Sequence, residues 1–154
     1  SSGSVNTTST LSFTAAGGLT GSYTFSDGTP GSNYNKLLGL LVDGQIHSQN
    51  WVFILQYSDY TGPGNYTLKF TPANPPSGSV TLLSNDNASK RWSLMPPSTC
   101  QLSITSDTSL NTGGGSAHYH EVKGSFSCPL LVSQSSSPLT ISKGQFNVVA
   151  PVVP

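Results

Sequence analysis

The chain has 154 residues, of which only 8% are charged, and its six basic and six acidic side chains cancel to a formal net charge of zero. Because nucleic-acid binding depends on a basic surface that neutralises phosphates, this composition excludes nucleic acid as a partner. It excludes attraction to an anionic membrane on the same ground. One domain over residues 1–154 is expected, large enough to bury a core without metal.

Two strands are predicted at the start of the chain. Leu11 and Phe13 alternate with polar residues and mark the first strand, and Tyr23 and Phe25 mark the second. Small residues over 15–18 separate them. This alternation has the period of a half-buried strand, and no part of the chain shows helical periodicity.

Turn residues divide the middle of the chain. Asp43-Gly44 predicts a tight turn between a strand over 37–42 and a strand over 51–57. The strand over 51–57 is apolar on both sides, which favours a central, doubly covered position in a sheet. Gly62-Pro63-Gly64 then predicts a reversal into an alternating strand over 66–70, so that the two strands form a hairpin.

The C-terminal third predicts a three-stranded meander. If Cys100 and Cys128 lie opposite each other on neighbouring antiparallel strands, a Gly-rich connection over 108–117 joins those strands. Residues 138–148 return as the third strand, in which Gly144 is a candidate bulge because the alternation resets there. With about nine or ten strands in all, the sequence predicts an all-β, antiparallel β-sandwich, either immunoglobulin-like or a flattened barrel.

Cysteine usage indicates an oxidising compartment. Cys100 and Cys128 are the only two cysteines and lack the spacing of a metal site, so a single disulfide is predicted. Closing a loop of this size stabilises a fold by about 3.5 kcal/mol in the chain-entropy model. The protein is therefore expected to be secreted or displayed at the cell surface, with no transmembrane segment. Asn6, Asn65 and Asn87 begin N-glycosylation sequons, although a chain rich in Asn, Ser and Thr also produces such triplets by chance.

Four short motifs follow one another in an order that resembles a known family. They are Leu19-Thr20-Gly21-Ser22-Tyr23, Tyr60-Thr61-Gly62-Pro63-Gly64-Asn65-Tyr66, Val122-Lys123-Gly124-Ser125-Phe126-Ser127-Cys128 and Thr140-Ile141-Ser142-Lys143-Gly144-Gln145-Phe146. The series resembles small secreted bacterial β-sandwich lipoproteins of the mycobacterial 19-kilodalton antigen type. The resemblance implies a cell-envelope β-domain without known catalysis, and it transfers no catalytic residue.

His118 and His120 are the candidate metal ligands. On a strand they point to the same face, and imidazoles at this spacing can converge on one zinc or copper ion. A third ligand is needed, and His47 supplies it only if its segment comes near. The alternative is two polar residues at the end of a hairpin, beside Gly113-Gly114-Gly115. We expect no metal and no cofactor.

Carboxylate and serine chemistry give weak signals for an enzyme. In the register set by the two cysteines, Asp107 and Glu121 face each other on the side opposite the disulfide, as a paired-acid glycosidase requires. Two outward carboxylates on a hairpin are more often solvated surface groups. No G-x-S-x-G motif is present. The sequence predicts a protein that is not an enzyme.

Aromatic residues offer a second class of function. An uncharged β-surface that carries aromatic rings suits neutral sugars, although most of these rings are equally explained by core and turn packing. A carrier with an apolar cavity between the sheets is a third class. The aromatic residues considered are Tyr34, Trp51, Tyr57, Tyr60, Tyr66, Trp92 and Tyr119.

The leading hypothesis is an extracellular structural or adhesive domain, such as the repeating subunit of a filament. Residues 1–14 form an uncharged, β-prone segment that is able to complete another subunit's sheet, with Val5, Leu11 and Phe13 as the assembly candidates. The expected partners are further copies of the chain, other cell-surface proteins or glycans. The alternative is an envelope lipoprotein that binds carbohydrate or an apolar ligand.

Overall fold

A computed structural model describes residues 8–27, 33–34, 38–72, 77–87, 90–110 and 119–151. These residues form eleven strands and no helix, which confirms the predicted all-β sandwich. None of them forms a helix that is long and apolar enough to cross a membrane. The strands are β1 (Ser9–Gly17), β2 (Gly21–Asp27), β3 (Asn33–Tyr34), β4 (Leu38–Ile46), β5 (Gln49–Tyr57), β6 (Gly64–Lys69), β7 (Gly78–Ser84), β8 (Arg91–Ser93), β9 (Thr99–Leu110), β10 (Tyr119–Leu131) and β11 (Leu139–Pro151).

The strands form two antiparallel sheets. The larger sheet has six strands in the order β2-β1-β11-β10-β9-β6, and the smaller has five in the order β3-β4-β5-β7-β8. The predicted meander is confirmed, because β9, β10 and β11 are neighbours in the larger sheet. The predicted central position of the strand over 51–57 is also confirmed, because β5 lies between β4 and β7.

Aromatic rings join the two sheets. Phe53 on β5 projects from the smaller sheet and is fully buried. Its ring centroid lies 4.9 Å from that of Phe126 on β10 and 6.3 Å from that of Phe13 on β1. Phe13 in turn packs edge-on against Phe25 at 5.5 Å. One continuous apolar core therefore fills the space between the sheets.

The predicted disulfide joins β9 to β10. Cys100 and Cys128 are bonded, their Cα atoms lie 4.4 Å apart, and both side chains are buried. The strand register agrees with this bond, because the pairing of Phe126 with Leu102 places Cys128 opposite Cys100 two residues further along. The bond therefore ties β9 to β10 on their core side.

A bulge interrupts β11 where the sequence predicted one. The pairing of β11 with β10 and with β1 shifts by one residue around Lys143 and Gly144. Lys143 has a positive φ of 53°. A side chain at Gly144 would collide with the ring of Phe126, at 2.6 Å from the added Cβ. The bulge turns Phe146 back toward the core.

The turn between β4 and β5 lies elsewhere than predicted. Asp43 and Gly44 are inside β4, and the reversal occurs at His47 and Ser48, which have φ values of 51° and 66°. Two positive φ angles are what a two-residue hairpin of this kind requires. Gly44 has a different role, because its missing side chain leaves room for the ring of Phe25 in the opposite sheet.

The predicted hairpin around Gly62-Pro63-Gly64 is wrong. β5 pairs only with β4 and β7, whereas β6 pairs with β9 in the other sheet. The segment between β5 and β6 therefore crosses from one sheet to the other. The positive φ values of Gly62 and Gly64, 111° and 151°, serve this crossing, and Tyr60 is buried within it.

The first strand belongs to the chain's own sheet. β1 pairs with both β2 and β11, and Leu11 and Phe13 are 1% and 2% exposed in the chain's own core. At the start of β1, the hydroxyl of Ser9 accepts a hydrogen bond from the Val149 amide at 3.0 Å. Val5 lies outside the described residues.

Reduction of the disulfide should lower the free energy of unfolding by about 3.5 kcal/mol, because the bond restricts the unfolded chain. Urea denaturation with and without reductant measures the loss. A Cys100→Ala/Cys128→Ala variant is the control, since reductant should not change its stability. Free thiols that titrate stoichiometrically in freshly isolated protein would contradict the pairing.

Gly44→Ala should destabilise the fold by about 3 kcal/mol through overpacking. The added Cβ would lie 2.2 Å from Cδ1 of Phe25. Gly62→Ala is the matched control, because no atom lies within 4 Å of its Cβ and only its positive φ opposes alanine, at about 1 kcal/mol. Equal losses in the two variants, measured by urea denaturation, would refute the packing role of Gly44.

Candidate functional site

The outer side of the six-stranded sheet presents uncharged polar side chains. One row crosses all six strands in register, over a width of about 24 Å at the usual strand spacing. Above and below it, most outward residues are again Ser, Thr, Asn or Gln, and a few are charged. We call this surface the polar face. Its central row consists of Thr24, Ser12, Gln145, Ser125, Ser103 and Asn65.

Two open depressions lie on the polar face, one on each side of Gln145. The first has a volume of about 270 Å³ and includes Thr24 and Asn147. The second has a volume of about 480 Å³ and includes Asn65 and Gln101. Hydroxyl and amide groups, which donate and accept hydrogen bonds without carrying charge, line most of both depressions, and Lys143 adds one cation to the second. The face therefore suits a hydrogen-bonding partner.

Charged side chains also lie on the polar face, around its central row. Lys123 and Glu121 are neighbours on β10, with Nζ and Oε1 3.7 Å apart, and both are partly exposed. Lys143 lies at the β11 bulge and Lys69 at the end of β6, both exposed. An exposed ion pair of this kind contributes little to stability. The central row itself contains no charged residue.

A buried carboxylate links three elements at one end of the sandwich. Asp107 on β9 has a side chain that is only 4% exposed. The Tyr60 hydroxyl donates to its Oδ2 at 2.6 Å, and Nδ1 of His120 lies 2.6 Å from its Oδ1. These bonds attach the segment that crosses between the sheets to β9 and β10. Because an acid without partners is costly to bury, the Tyr60 and His120 bonds allow Asp107 to stay in the interior.

The predicted pairing of Asp107 with Glu121 is wrong. β9 carries one extra residue at Thr105, whose hydroxyl donates to the Lys123 carbonyl at 3.1 Å. Beyond this bulge Asp107 pairs with Val122 and faces the core, while Glu121 pairs with Thr108 and faces outward. Since the two carboxylates lie on opposite sides of the sheet, they cannot act as a glycosidase pair.

His120 has a partner other than a metal. Its Nδ1 atom is engaged with Asp107, and its side chain is 23% exposed. His118 lies outside the described residues. His47 occupies the β4–β5 turn, where its ring packs edge-on against Tyr23. Within the part of the chain that the structure describes, no three His, Cys, Asp or Glu side chains gather as metal ligands.

The aromatic residues do not form an exposed platform. Trp51 and Trp92 stack on each other in the core, with centroids 6.0 Å apart, and are 3% and 0% exposed. Tyr57, Tyr60 and Tyr66 pack together beside the crossing segment. Partial burial raises the pKa of Tyr57 above its usual value, and Asp59 and Tyr66 add to the shift. These rings therefore serve packing. Tyr119 is partly exposed, and the side chain of Tyr34 lies outside the described part.

The sequons lie in different settings. Asn65 is exposed on β6 within the polar face, at the end of its central row. Asn87 follows β7 in a partly buried loop, where its carbonyl accepts a hydrogen bond from the Lys90 amide at 3.0 Å. Asn6 lies outside the described residues. A glycan on Asn65 would cover part of the second depression.

Comparison with protein-family models, curated proteins and solved structures finds no match to the chain.

A further groove lies beside β8. It has a volume of about 540 Å³ and includes Arg91, Met95 and Val132. Met95 is 44% exposed, which is unusual for an apolar side chain in this protein. The groove combines one cation and two apolar side chains with Ser and Gln residues, so its chemistry differs from that of the polar face.

Sequence reasoning missed both the polar face and the buried carboxylate. The signal for the face was present, because the residues between the apolar positions of β1, β9, β10 and β11 are almost all Ser, Thr, Asn or Gln. The buried carboxylate left no such signal. Its position depends on the Thr105 bulge, and the local sequence Ile104-Thr105-Ser106 contains no glycine to mark it.

Tyr60→Phe should destabilise the protein by about 2 kcal/mol, because it removes a hydrogen bond to a buried carboxylate. Tyr23→Phe is the matched control, since that hydroxyl donates to the Thr20 carbonyl in an exposed turn and should contribute under about 1 kcal/mol. Thermal unfolding and urea denaturation measure both variants. Equal losses would show that the Tyr60–Asp107 bond adds nothing beyond an ordinary surface contact.

Proposed function

We propose that this protein is an extracellular or cell-surface structural or adhesive domain that acts by self-association, and that the polar face is its contact surface. The observation that carries the proposal is the central row, in which six strands in succession present an uncharged hydroxyl or amide group. Such a surface forms hydrogen bonds with a like surface, because every group on it is able to donate or accept.

Charge balance supports self-association. A high net charge keeps protein molecules apart in solution, and a net charge near zero favours their association. Here the formal net charge is zero, and the charged side chains on the polar face lie outside its central row. Two copies therefore carry no net charge that opposes their approach.

The disulfide and the family resemblance support the proposed location. A bonded Cys100–Cys128 pair persists in oxidising compartments, as at a cell surface. The resemblance to secreted bacterial β-sandwich lipoproteins points to a cell envelope. Assembly into a filament is part of the proposal, and it requires each copy to use more than one contact, so that the assembly does not close on itself.

Donation of residues 1–14 is a less direct route to assembly than contact through the polar face. Leu11 and Phe13 already fill the chain's own core, so a donated β1 must first leave it. Burying two such side chains stabilises a fold by about 2 kcal/mol each. Donation therefore requires an exchange of β1 between copies, rather than the addition of a spare strand.

Ligand binding is the second candidate function. The two depressions on the polar face present amides and hydroxyls that suit a sugar, and the groove beside β8 offers Met95 and Val132 as contacts for an apolar ligand. Retention of the monomer on an immobilised neutral polysaccharide would favour this function over self-association.

Charge placed on the polar face should weaken assembly. We expect wild-type protein to form larger species as its concentration rises, and Gln145→Glu/Gln101→Glu to remain smaller at the same concentrations, because like charges then oppose each other across the contact. Gln134→Glu/Gln49→Glu is the control, since it makes the same two changes at exposed positions outside the polar face. Sedimentation velocity and electron microscopy provide the measurement. A wild-type protein that stays monomeric at every concentration would overturn the proposal.

A further inference from the structure

We propose that two copies of the chain join through the outer edges of their β2 strands, in an antiparallel pairing about a two-fold axis. The inference rests on the proposed function and names the surface through which self-association begins. An edge strand leaves a row of backbone N–H and C=O groups unpaired, and a second copy is able to satisfy them by adding its own strand.

Each sandwich has four sheet edges, and the two edges of the smaller sheet are poor templates. β8 has only three residues, and Ser93 exchanges two backbone hydrogen bonds with Val132, each 2.9 Å long. These bonds occupy its outer side. β3 has only two residues, Asn33 and Tyr34. Neither strand offers a continuous row of backbone groups to a second chain.

The β6 edge of the larger sheet is protected. Lys69 is exposed at its end, and a lysine on an edge strand opposes pairing with another sheet. The Lys69 carbonyl also accepts a hydrogen bond from the Ser77 hydroxyl at 3.0 Å. The sequence that leads to β7 therefore already occupies part of this edge.

The β2 edge lacks these protections. β2 has seven residues, contains no lysine or proline, and has one charged residue, Asp27, at its last position. It pairs with β1 in one unbroken register. Among the described residues, β1 is its one strand partner. Its outward side chains Ser22, Thr24 and Ser26 are exposed and uncharged. These are the properties of an edge that pairs readily with another chain.

The arrangement of β2 suits a two-fold pairing. Thr24 is the middle residue of Gly21–Asp27, so full overlap of two antiparallel copies places Thr24 opposite Thr24 of the second copy. Tyr23 of each copy then lies opposite Phe25 of the other, and cross-strand aromatic pairs stabilise a sheet. Because Thr24 begins the central row of the polar face, the pairing extends that row across twelve strands.

A cysteine at the two-fold axis tests the geometry. Opposite residues of antiparallel strands have Cα separations of about 4.5–5.5 Å, within the range that a disulfide spans. We expect Thr24→Cys to form a cross-linked dimer as its main species under mild oxidation. Thr67→Cys, at the equivalent exposed position on the β6 edge, should stay at the background level. Equal cross-linking of the two variants, or cross-linking of Thr67→Cys alone, would overturn the proposal.

Charge on the same edge provides the second measurement. Thr24→Lys should raise the dimer dissociation constant at least about tenfold, because two like charges then face each other across the axis. Thr67→Lys adds the same charge to the polar face at its other edge, so the increase it causes measures the face contact alone and should be several times smaller than that of Thr24→Lys. Equal increases in the two variants would overturn the β2 inference. If wild type assembles and Thr24→Lys assembles equally well, the β2 inference fails while the proposed function stands. If wild type never assembles, the proposed function fails as well.

Discussion

The contact of Phe53 with rings from the opposite sheet is the constraint on which the rest of the structure depends. Phe53 lies on the central strand of the smaller sheet and reaches Phe13 and Phe126 in the larger one. This contact fixes which side of the larger sheet is inward. Since side chains alternate along a strand, it also fixes which residues form the polar face. The core and the candidate contact surface are thus two consequences of one register.

The strands and the disulfide were predictable because their signals are local. Alternation located β1, β2, β6 and the three C-terminal strands, and two cysteines on matching faces defined the bond between β9 and β10. Sheet membership was not predictable. A Gly62-Pro63-Gly64 turn is compatible both with a hairpin and with a crossing between sheets. The crossing is established only by the pairing of β6 with β9, which is distant in sequence. The turn predicted at Asp43-Gly44 was wrong because the glycine is required there by packing against Phe25 and not by turn geometry.

The site was less predictable than the fold, and one residue explains much of the difference. Thr105 is an extra residue in β9 that reverses the side on which all later side chains of that strand lie. Without it, Asp107 would be a solvated surface acid, as its sequence context suggests. With it, Asp107 is buried between Tyr60 and His120. A bulge without glycine gives no composition signal, so the burial of this carboxylate emerges only from the three-dimensional register.

The position of β11 has a consequence for the order in which the protein folds. The β1–β2 pair and the disulfide-bonded β9–β10 pair are each formed from segments that are close in sequence, but β11 must lie between them for the larger sheet to exist. The contacts of β1 with β11 join residues as far apart as Thr10 and Asn147. Contacts of such long range form slowly, because closing a long loop costs entropy before it brings any stabilisation. Until β11 pairs with both, the β1–β2 and β9–β10 pairs are separate parts of the larger sheet, and the edges of β1 and β10 that β11 covers are open to pairing with another strand.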